Sequence, residues 1–125
     1  MEKTRIGFVG VGGIAHRHLD ILAGFEDVSL VAFADPDFER AQNAAQRFGA
    51  RAFDSHAAML ASETLDAVYI CIPPFAHGAA ERDLISRGIP FFVEKPITLD
   101  IGLAEDLSAA IAAAGLVTAV GYHWR

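Results

Sequence analysis

A glycine-rich stretch near the amino terminus is the first place where residue types and spacing could do chemistry. Gly10, Gly12 and Ala15 follow the pattern Gly-x-Gly-x-x-Ala directly after an apolar run. Small residues at these positions permit a tight turn, let the backbone approach a ligand and allow a helix to pack closely on a strand. The free N–H groups around Gly12, Gly13 and Ile14 would then point at phosphates, with the helix dipole adding attraction. The motif predicts dinucleotide binding, with a purely structural turn as the alternative.

An acidic residue, Asp35, follows the glycines by about 20 residues, the separation at which a carboxylate can contact a dinucleotide. It ends a second apolar run, and its oxygens can accept hydrogen bonds from the ribose hydroxyls of the adenosine. A carboxylate there would also repel the 2′-phosphate of NADP, and Pro36 rather than an arginine comes next. We therefore predict NAD in preference to NADP. In the alternative interpretation Asp35 caps the following helix, although Asp37 could supply that cap and the two roles are compatible.

Strand-like and helix-like segments alternate along the chain and would position these residues. Apolar runs predict strands over residues 5–10, 28–34, 51–53, 67–72, 90–93 and 116–120. Helical spacing predicts helices over 13–23, 38–48, 57–61 and 76–87, and a last helix between an Asp100 N-cap and Gly115. This alternation implies an α/β fold with a parallel sheet covered on both faces. Right-handed crossovers favour a doubly wound Rossmann sheet in the order 3-2-1-4-5-6, with residues 1–125 as one dinucleotide-binding domain.

Three more segments reach the carboxyl edge of such a sheet, where ligands bind. The first runs from Ile72 and Pro73 to His77; its prolines end the strand and fix a rigid loop on the nicotinamide side. His77 contacts the cofactor in one interpretation and settles the helix N-terminus in the other. The last segment contains Tyr122, His123 and Arg125, a polar and aromatic set that suits a substrate-side cleft wall or a frayed terminus.

Between them lies Glu94-Lys95-Pro96, at the end of the fifth predicted strand. An adjacent Glu and Lys form a solvated ion pair in most proteins. At this edge, however, Lys95 could hydrogen-bond a reacting hydroxyl and stabilise negative charge on its oxygen. The proline would stiffen the approach of the chain.

Composition excludes several classes of function. The 125 residues carry a net charge of −6 and have no basic run, so nucleic acid is not an expected partner. The single cysteine, Cys71, excludes an intramolecular disulfide, indicates a reducing compartment and is interpreted as a small buried hydrophobe. The sequence shows no signal peptide, no predicted membrane span and no predicted metal site, which favours a cytoplasmic protein.

Four segments together resemble one family of enzymes. Residues 10–18, 34–37, 73–77 and 94–96 occur in this order, with sequences Gly-Val-Gly-Gly-Ile-Ala-His-Arg-His, Ala-Asp-Pro-Asp, Pro-Pro-Phe-Ala-His and Glu-Lys-Pro. This set resembles the glucose–fructose oxidoreductase, inositol dehydrogenase and rhizopine catabolism (Gfo/Idh/MocA) family of oxidoreductases. The resemblance covers the whole chain. Its most specific element is the Glu-Lys-Pro turn, because many families share the glycine turn.

The resemblance implies an NAD(P)-dependent oxidoreductase that acts on hydroxyls of sugars, inositols or related polyols. It implies that Lys95 lies beside the nicotinamide and the substrate and assists hydride transfer. It also places Glu94 and His77 near the cofactor. His18 matches a family histidine on the first helix, and we interpret its role as structural.

Two departures from the family pattern shape what we expect of this chain. Family members continue into a second α/β domain that forms most of the substrate pocket, and we expect it to be absent here. His123 also stands where the family commonly has asparagine. We therefore expect cofactor binding with little turnover, and an uncovered apolar face that favours self-association into a homo-oligomer. The alternatives are a non-catalytic nucleotide-sensing or interaction module with a Rossmann fold, or a structural remnant without a ligand.

Overall fold

A parallel sheet forms the centre of the computed structural model, which describes residues 2–96 and 98–121. The strands are β1 (Thr4–Val9), β2 (Val28–Ala34), β3 (Arg51–Phe53), β4 (Ala67–Ile70), β5 (Phe91–Val93) and β6 (Thr118–Val120). They lie in the order β3-β2-β1-β4-β5-β6, which confirms the doubly wound order predicted from the sequence. The chain reverses its direction of winding between β1 and β4, and in such sheets this is where ligands bind.

Five helices connect the strands. They are α1 (Gly13–Leu22), α2 (Phe38–Phe48), α3 (His56–Ser62), α4 (Ala79–Arg87) and α5 (Ile101–Ala114). Asp100 caps α5 through its Oδ1, which accepts hydrogen bonds from the N–H groups of Gly102 and Leu103. The helices α2, α4 and α5 end at Gly49, Gly88 and Gly115, as their sequence predicts.

Apolar side chains cover the sheet on both faces, as predicted. On one face α1 and α2 pack on the sheet around the fully buried rings of Phe8 and Phe33. On the other face α3 and α4 pack around Met59, Ile70 and Leu84, which are also fully buried. The strands β1, β2 and β4 therefore contribute side chains to both clusters, which fixes their carboxyl ends relative to one another.

The segment between β4 and α4 differs from its prediction. The helix predicted from residue 76 begins at Ala79, and a short 3-10 turn over Pro74–Ala76 precedes it. The backbone of Gly78 adopts φ +126°, which interrupts helical geometry between the two. The predicted strand over 67–72 ends at Ile70, although the N–H of Cys71 still donates to the carbonyl of Val9. The prolines that follow cannot donate to the ladder.

The region around α5 and β6 is more open than the rest of the described chain. Leu107 is the one buried residue of α5. The nearby side chains of Leu99, Ile101 and Val117 are between 76% and 78% exposed. Exposed apolar side chains therefore lie in this region; that they form a face left by an absent second domain, and that they favour self-association, stay predictions.

Among the described residues, no helix is both long enough and apolar enough to cross a bilayer.

Candidate functional site

The glycine turn between β1 and α1 depends on Gly10. This residue adopts φ +88°, and a Cβ added to it would lie 2.3 Å from the carbonyl oxygen of Cys71. Its N–H donates to the carbonyl oxygen of Ala34 at 2.8 Å. The chain therefore crosses close to both neighbouring strands at this point, and only glycine permits the crossing.

The N-terminus of α1 is open to a ligand. Gly12 is the N-cap, and no side chain caps the helix there. A Cβ added to Gly12 would meet only the Nη1 of Arg40, at 3.7 Å, and one added to Gly13 would meet nothing within 4 Å. Ala15 is completely buried against the sheet, as its place in the motif predicts. The first N–H groups of α1 are thus available to an anion such as a pyrophosphate.

Asp35 is buried at the end of β2 and accepts two backbone hydrogen bonds. Its Oδ2 accepts from the N–H of Val11 at 3.0 Å, and its Oδ1 accepts from the N–H of Asp37 at 2.9 Å. Asp37 is the N-cap of α2, which leaves no capping role for Asp35. Because an ionised carboxylate has about four acceptor positions, Asp35 can still accept bonds from a ligand.

Arg40 is a residue of the site that the sequence analysis missed. It lies in the first turn of α2, and its Nη1 is 3.8 Å from the Oδ2 of Asp35. The sequence argument looked only at the position directly after Asp35. The sequence signal that could have identified Arg40 was the N-cap at Asp37. A residue three positions beyond an N-cap projects from the first turn of its helix, back toward the end of the preceding strand.

A cavity of about 480 Å³ runs along the carboxyl edge of the sheet, a volume in the range of small-molecule and cofactor sites. Eight of the ten predicted cofactor-binding residues line it, and Gly13 and His77 do not. The complete lining is Gly10, Gly12, Ile14, Asp35, Pro36, Arg40, Cys71, Ile72, Pro73, Phe75, Ala76, Glu94 and Lys95.

The Glu94-Lys95 turn stands at the far end of this cavity from Asp35. The Oε2 of Glu94 lies 2.9 Å from the Nε2 of His18, so its ionic partner is this histidine on α1. Lys95 is exposed, and its ammonium forms no salt bridge with a residue of the described ranges. The structure therefore does not contain the Glu94–Lys95 ion pair that the sequence left as an alternative. The Lys95 ammonium is available to a ligand in the cavity.

His77 settles the start of α4 and does not face the cavity. Its side chain is completely buried, and its Nδ1 lies 2.8 Å from the Oε2 of Glu81, which is 1% exposed. The Oε1 of Glu81 accepts the N–H of Gly78 at 3.2 Å. Of the two interpretations of His77, this geometry supports the structural one. His77 does not line the cavity, and its contact with the cofactor stays a prediction.

Cys71 lies on the wall of the cavity without a reactive thiolate. The residue is 8% exposed. Burial, reinforced by the negative charge of Glu94, raises the pKa of its thiol to about 12. It behaves as the small buried hydrophobe that the sequence predicts.

The three predicted substrate-side residues Tyr122, His123 and Arg125 lie outside the described residues. Within those residues, no group of three or more His, Cys, Asp or Glu side chains is placed to hold a metal ion. The chemistry available in the described part is therefore that of backbone amides, the Asp35 and Glu94 carboxylates and the cations of Arg40 and Lys95.

Residues 4–122 match GFO_IDH_MocA, an oxidoreductase family with an NAD-binding Rossmann fold. The chain is 35% identical over 116 residues to a dTDP-3,4-didehydro-2,6-dideoxy-alpha-D-glucose 3-reductase of Streptomyces antibioticus, covering 92% of this chain and 35% of the relative. It is 33% identical to inositol 2-dehydrogenase 4 of Saccharopolyspora erythraea, covering 99% and 38%. The chain thus spans little more than a third of the length of these relatives.

Solved structures agree in fold. GenD2 from gentamicin A biosynthesis, in complex with NAD, superposes with a TM-score of 0.89 at 31% identity, covering 97% of this chain and 35% of that protein. A mutant of a 3-ketoreductase from Actinomadura kijaniata, in complex with TDP-benzene and NADP, gives a TM-score of 0.82 at 29% identity, covering 92% and 37%. Related Rossmann domains therefore hold either cofactor.

Proposed function

Since this chain belongs to the Gfo/Idh/MocA family of oxidoreductases, we propose that it holds NAD for hydride transfer at a hydroxyl-bearing carbon of a sugar or polyol. The observation that carries the proposal is the single cavity that joins Asp35, the glycine turn and Lys95. A dinucleotide needs a carboxylate for its ribose, an amide cradle for its pyrophosphate and an open polar end for its reactive ring.

The order of the strands sets the direction in which the cofactor lies. Asp35 follows β2, on one side of the glycine turn, and Lys95 follows β5, on the other side. The adenosine therefore belongs at the Asp35 end, the pyrophosphate at the N-terminus of α1 and the nicotinamide at the Glu94-Lys95 end. When bound there, NAD supplies the hydride acceptor of the reaction.

We propose that NAD is preferred over NADP. The buried Asp35 carboxylate accepts hydrogen bonds from ribose hydroxyls and repels a 2′-phosphate. Arg40 opposes part of this repulsion, because its guanidinium lies 3.8 Å from the same carboxylate and is exposed to the cavity. NADPH is therefore expected to bind more weakly than NADH without being excluded.

Lys95 is the residue proposed to act on the substrate. Its exposed ammonium can donate a hydrogen bond to the oxygen of the reacting carbon and stabilise negative charge as the proton leaves. The group that accepts the proton and the groups that position the sugar are proposed to lie outside this chain, which spans about a third of its relatives. Cofactor binding with little turnover is the expected behaviour of the chain by itself.

The test is a titration of the purified chain with NADH, followed by nicotinamide fluorescence, with NADPH in parallel. Saturable NADH binding that is tighter than NADPH binding supports the proposal. Tighter NADPH binding overturns the choice of cofactor and leaves the fold intact. If a folded chain binds neither, the cofactor role itself is overturned. Adding a mixture of aldoses and inositols to the NAD-bound chain then measures turnover, and clean saturation kinetics would contradict the proposed division of labour.

A further inference from the structure

The carboxylate of Glu94 is confined between a histidine on α1 and the backbone that follows β6. The Nε2 of His18, on α1, lies 2.9 Å from its Oε2, and the two side chains are 23% and 12% exposed. Gly121, just after β6, closes the other side. A Cβ added there would lie 3.0 Å from the same Oε2 and 2.8 Å from the ring of Phe92. The absence of a side chain at Gly121 therefore leaves the room that Glu94 occupies.

The ring of His18 is itself fixed by the sheet. Its centroid lies 5.4 Å from that of Tyr69 on β4 and 5.2 Å, edge to face, from that of Phe92 on β5. These contacts keep the imidazole against the sheet, so it cannot turn away from Glu94 without losing aromatic packing. The glycine-turn helix is thereby linked to the turn that carries Lys95.

Glu94 stands between two cavities. It lines the main cavity beside Lys95, and it also lines a neighbouring cavity of about 370 Å³ that contains His18, Arg17 and Gly121. The carboxylate thus presents its charge to the end of the main cavity where, under the proposed function, the nicotinamide lies. Its hydrogen-bond partner, His18, lines the second cavity.

We propose that His18 is a positioning residue that holds the Glu94 carboxylate at this end of the cavity, where its charge favours oxidised over reduced cofactor. This inference depends on the proposed function. An oxidised nicotinamide ring carries a positive charge and the reduced ring is neutral, so a carboxylate at this place attracts the oxidised form.

The experiment measures the dissociation constants of NAD⁺ and NADH for the wild-type chain, Glu94→Gln and His18→Phe. Glu94→Gln should lower the preference for NAD⁺ over NADH by roughly three- to tenfold, because it removes the charge of the side chain. His18→Phe keeps an aromatic ring in place but removes the hydrogen bond that holds the carboxylate, so it should lower the preference part of the way toward that of Glu94→Gln.

Asp83→Asn is the matched control. His56 and Asp83 form a second pair with the same 2.9 Å separation and a histidine that is likewise 23% exposed, and Asp83 does not line the cofactor cavity. This variant should keep the wild-type ratio of the two dissociation constants. A purely structural role for carboxylate–histidine pairs would make Asp83→Asn and Glu94→Gln behave alike.

Each outcome is decisive. Binding of both cofactors with an unchanged ratio in Glu94→Gln overturns this inference and leaves the proposed function intact. Failure of the wild type to bind either cofactor overturns both. If His18→Phe does not fold, the lowered preference for NAD⁺ in Glu94→Gln still decides, because that variant keeps the shape of the side chain and removes only its charge.

Discussion

The two ends of the cavity differ in how firmly their charged groups are held. At the end of the cavity proposed for the adenosine, the buried Asp35 carboxylate accepts hydrogen bonds from the N–H groups of Val11 and Asp37. At the end proposed for the nicotinamide, Lys95 is exposed and its ammonium is paired with no described residue. The strands differ in the same way: β2 ends in three buried residues, whereas β6 has none that is buried.

From this contrast we infer that the Asp35 end contributes mainly to cofactor binding and the Lys95 end mainly to the reaction. A held carboxylate contributes to affinity because it does not need to be ordered when the ligand arrives. An exposed lysine contributes little to affinity until another surface excludes water from it. We therefore expect substitution of Asp35 at the first end to weaken cofactor binding, and substitution of Lys95 at the second end to leave the NADH affinity nearly unchanged.

The largest effect is expected at the glycine turn, which both ends share. Gly10→Ala should destabilise the fold by about 1–2 kcal/mol through its positive φ, and by about 1–3 kcal/mol more through displacement of the backbone near Cys71. Urea unfolding measures the change. Gly49→Ala is the control, because φ there is +72° and nothing lies within 4 Å. Equal losses in the two variants would show that the close crossing at Gly10 contributes nothing.

Asp35→Asn tests the end of the cavity at which hydrogen bonds hold the carboxylate. Loss of a charge-assisted hydrogen bond, of about 1.5–3 kcal/mol, should weaken NADH binding roughly ten- to a hundredfold. One backbone N–H then faces an amide NH₂ group, so stability should also fall by about 1–2 kcal/mol. Titration and unfolding measure these separately. Asp37→Asn should change neither, since asparagine is an equally good N-cap. Unaltered NADH affinity in Asp35→Asn would place the adenosine elsewhere.

Lys95→Gln tests the other end of the cavity, at which the lysine side chain is exposed. NADH affinity should change by less than about threefold, because the exposed ammonium has a weak, screened interaction with the cofactor. The same titration measures it. A tenfold loss would contradict the contrast between the ends and make Lys95 part of the binding machinery.

The smallest effect is expected at Cys71, on the wall between the two ends. With a pKa of about 12, only about one thiol in ten thousand is ionised at pH 8. Iodoacetamide should therefore leave the folded chain unlabelled at this pH, and labelling should rise only as the pH approaches 12. Mass spectrometry measures the product, with the urea-unfolded chain as the positive control. Rapid labelling of the folded chain at pH 8 would show that the wall opens.

Sequence patterns predicted the order of the strands and the ends of the helices because both depend on local or repeating features. Alternation of apolar runs with helical segments specifies a doubly wound sheet, and a glycine at a helix end is a local signal. The start of α4 was missed because Gly78 could have continued the predicted helix as easily as interrupted it. Only its positive φ in the fold distinguishes the two.

The sequence predicted most residues of the candidate site but not the hydrogen bonds that join them. Position in the strand order was enough to bring Asp35, the glycine turn and Lys95 to one edge. The bond from Asp35 to Val11 joins residues 24 positions apart, and that from His18 to Glu94 joins residues 76 positions apart. Neither leaves a pattern in the sequence. The first depends on how the turn after β1 approaches the end of β2, and the second depends on how α1 packs across the sheet.

The two hydrogen bonds of Asp35 also constrain how the cofactor preference of this protein can change in evolution or by engineering. Replacing Asp35 to admit a 2′-phosphate leaves the buried N–H of Val11 without a partner, which costs about 1–3 kcal/mol. Arg40 is exposed and supports neither bond, so substitutions at and around it on α2 can alter phosphate recognition with little effect on folding. The accessible route toward NADP therefore runs along the surface of α2, with the aspartate left in place.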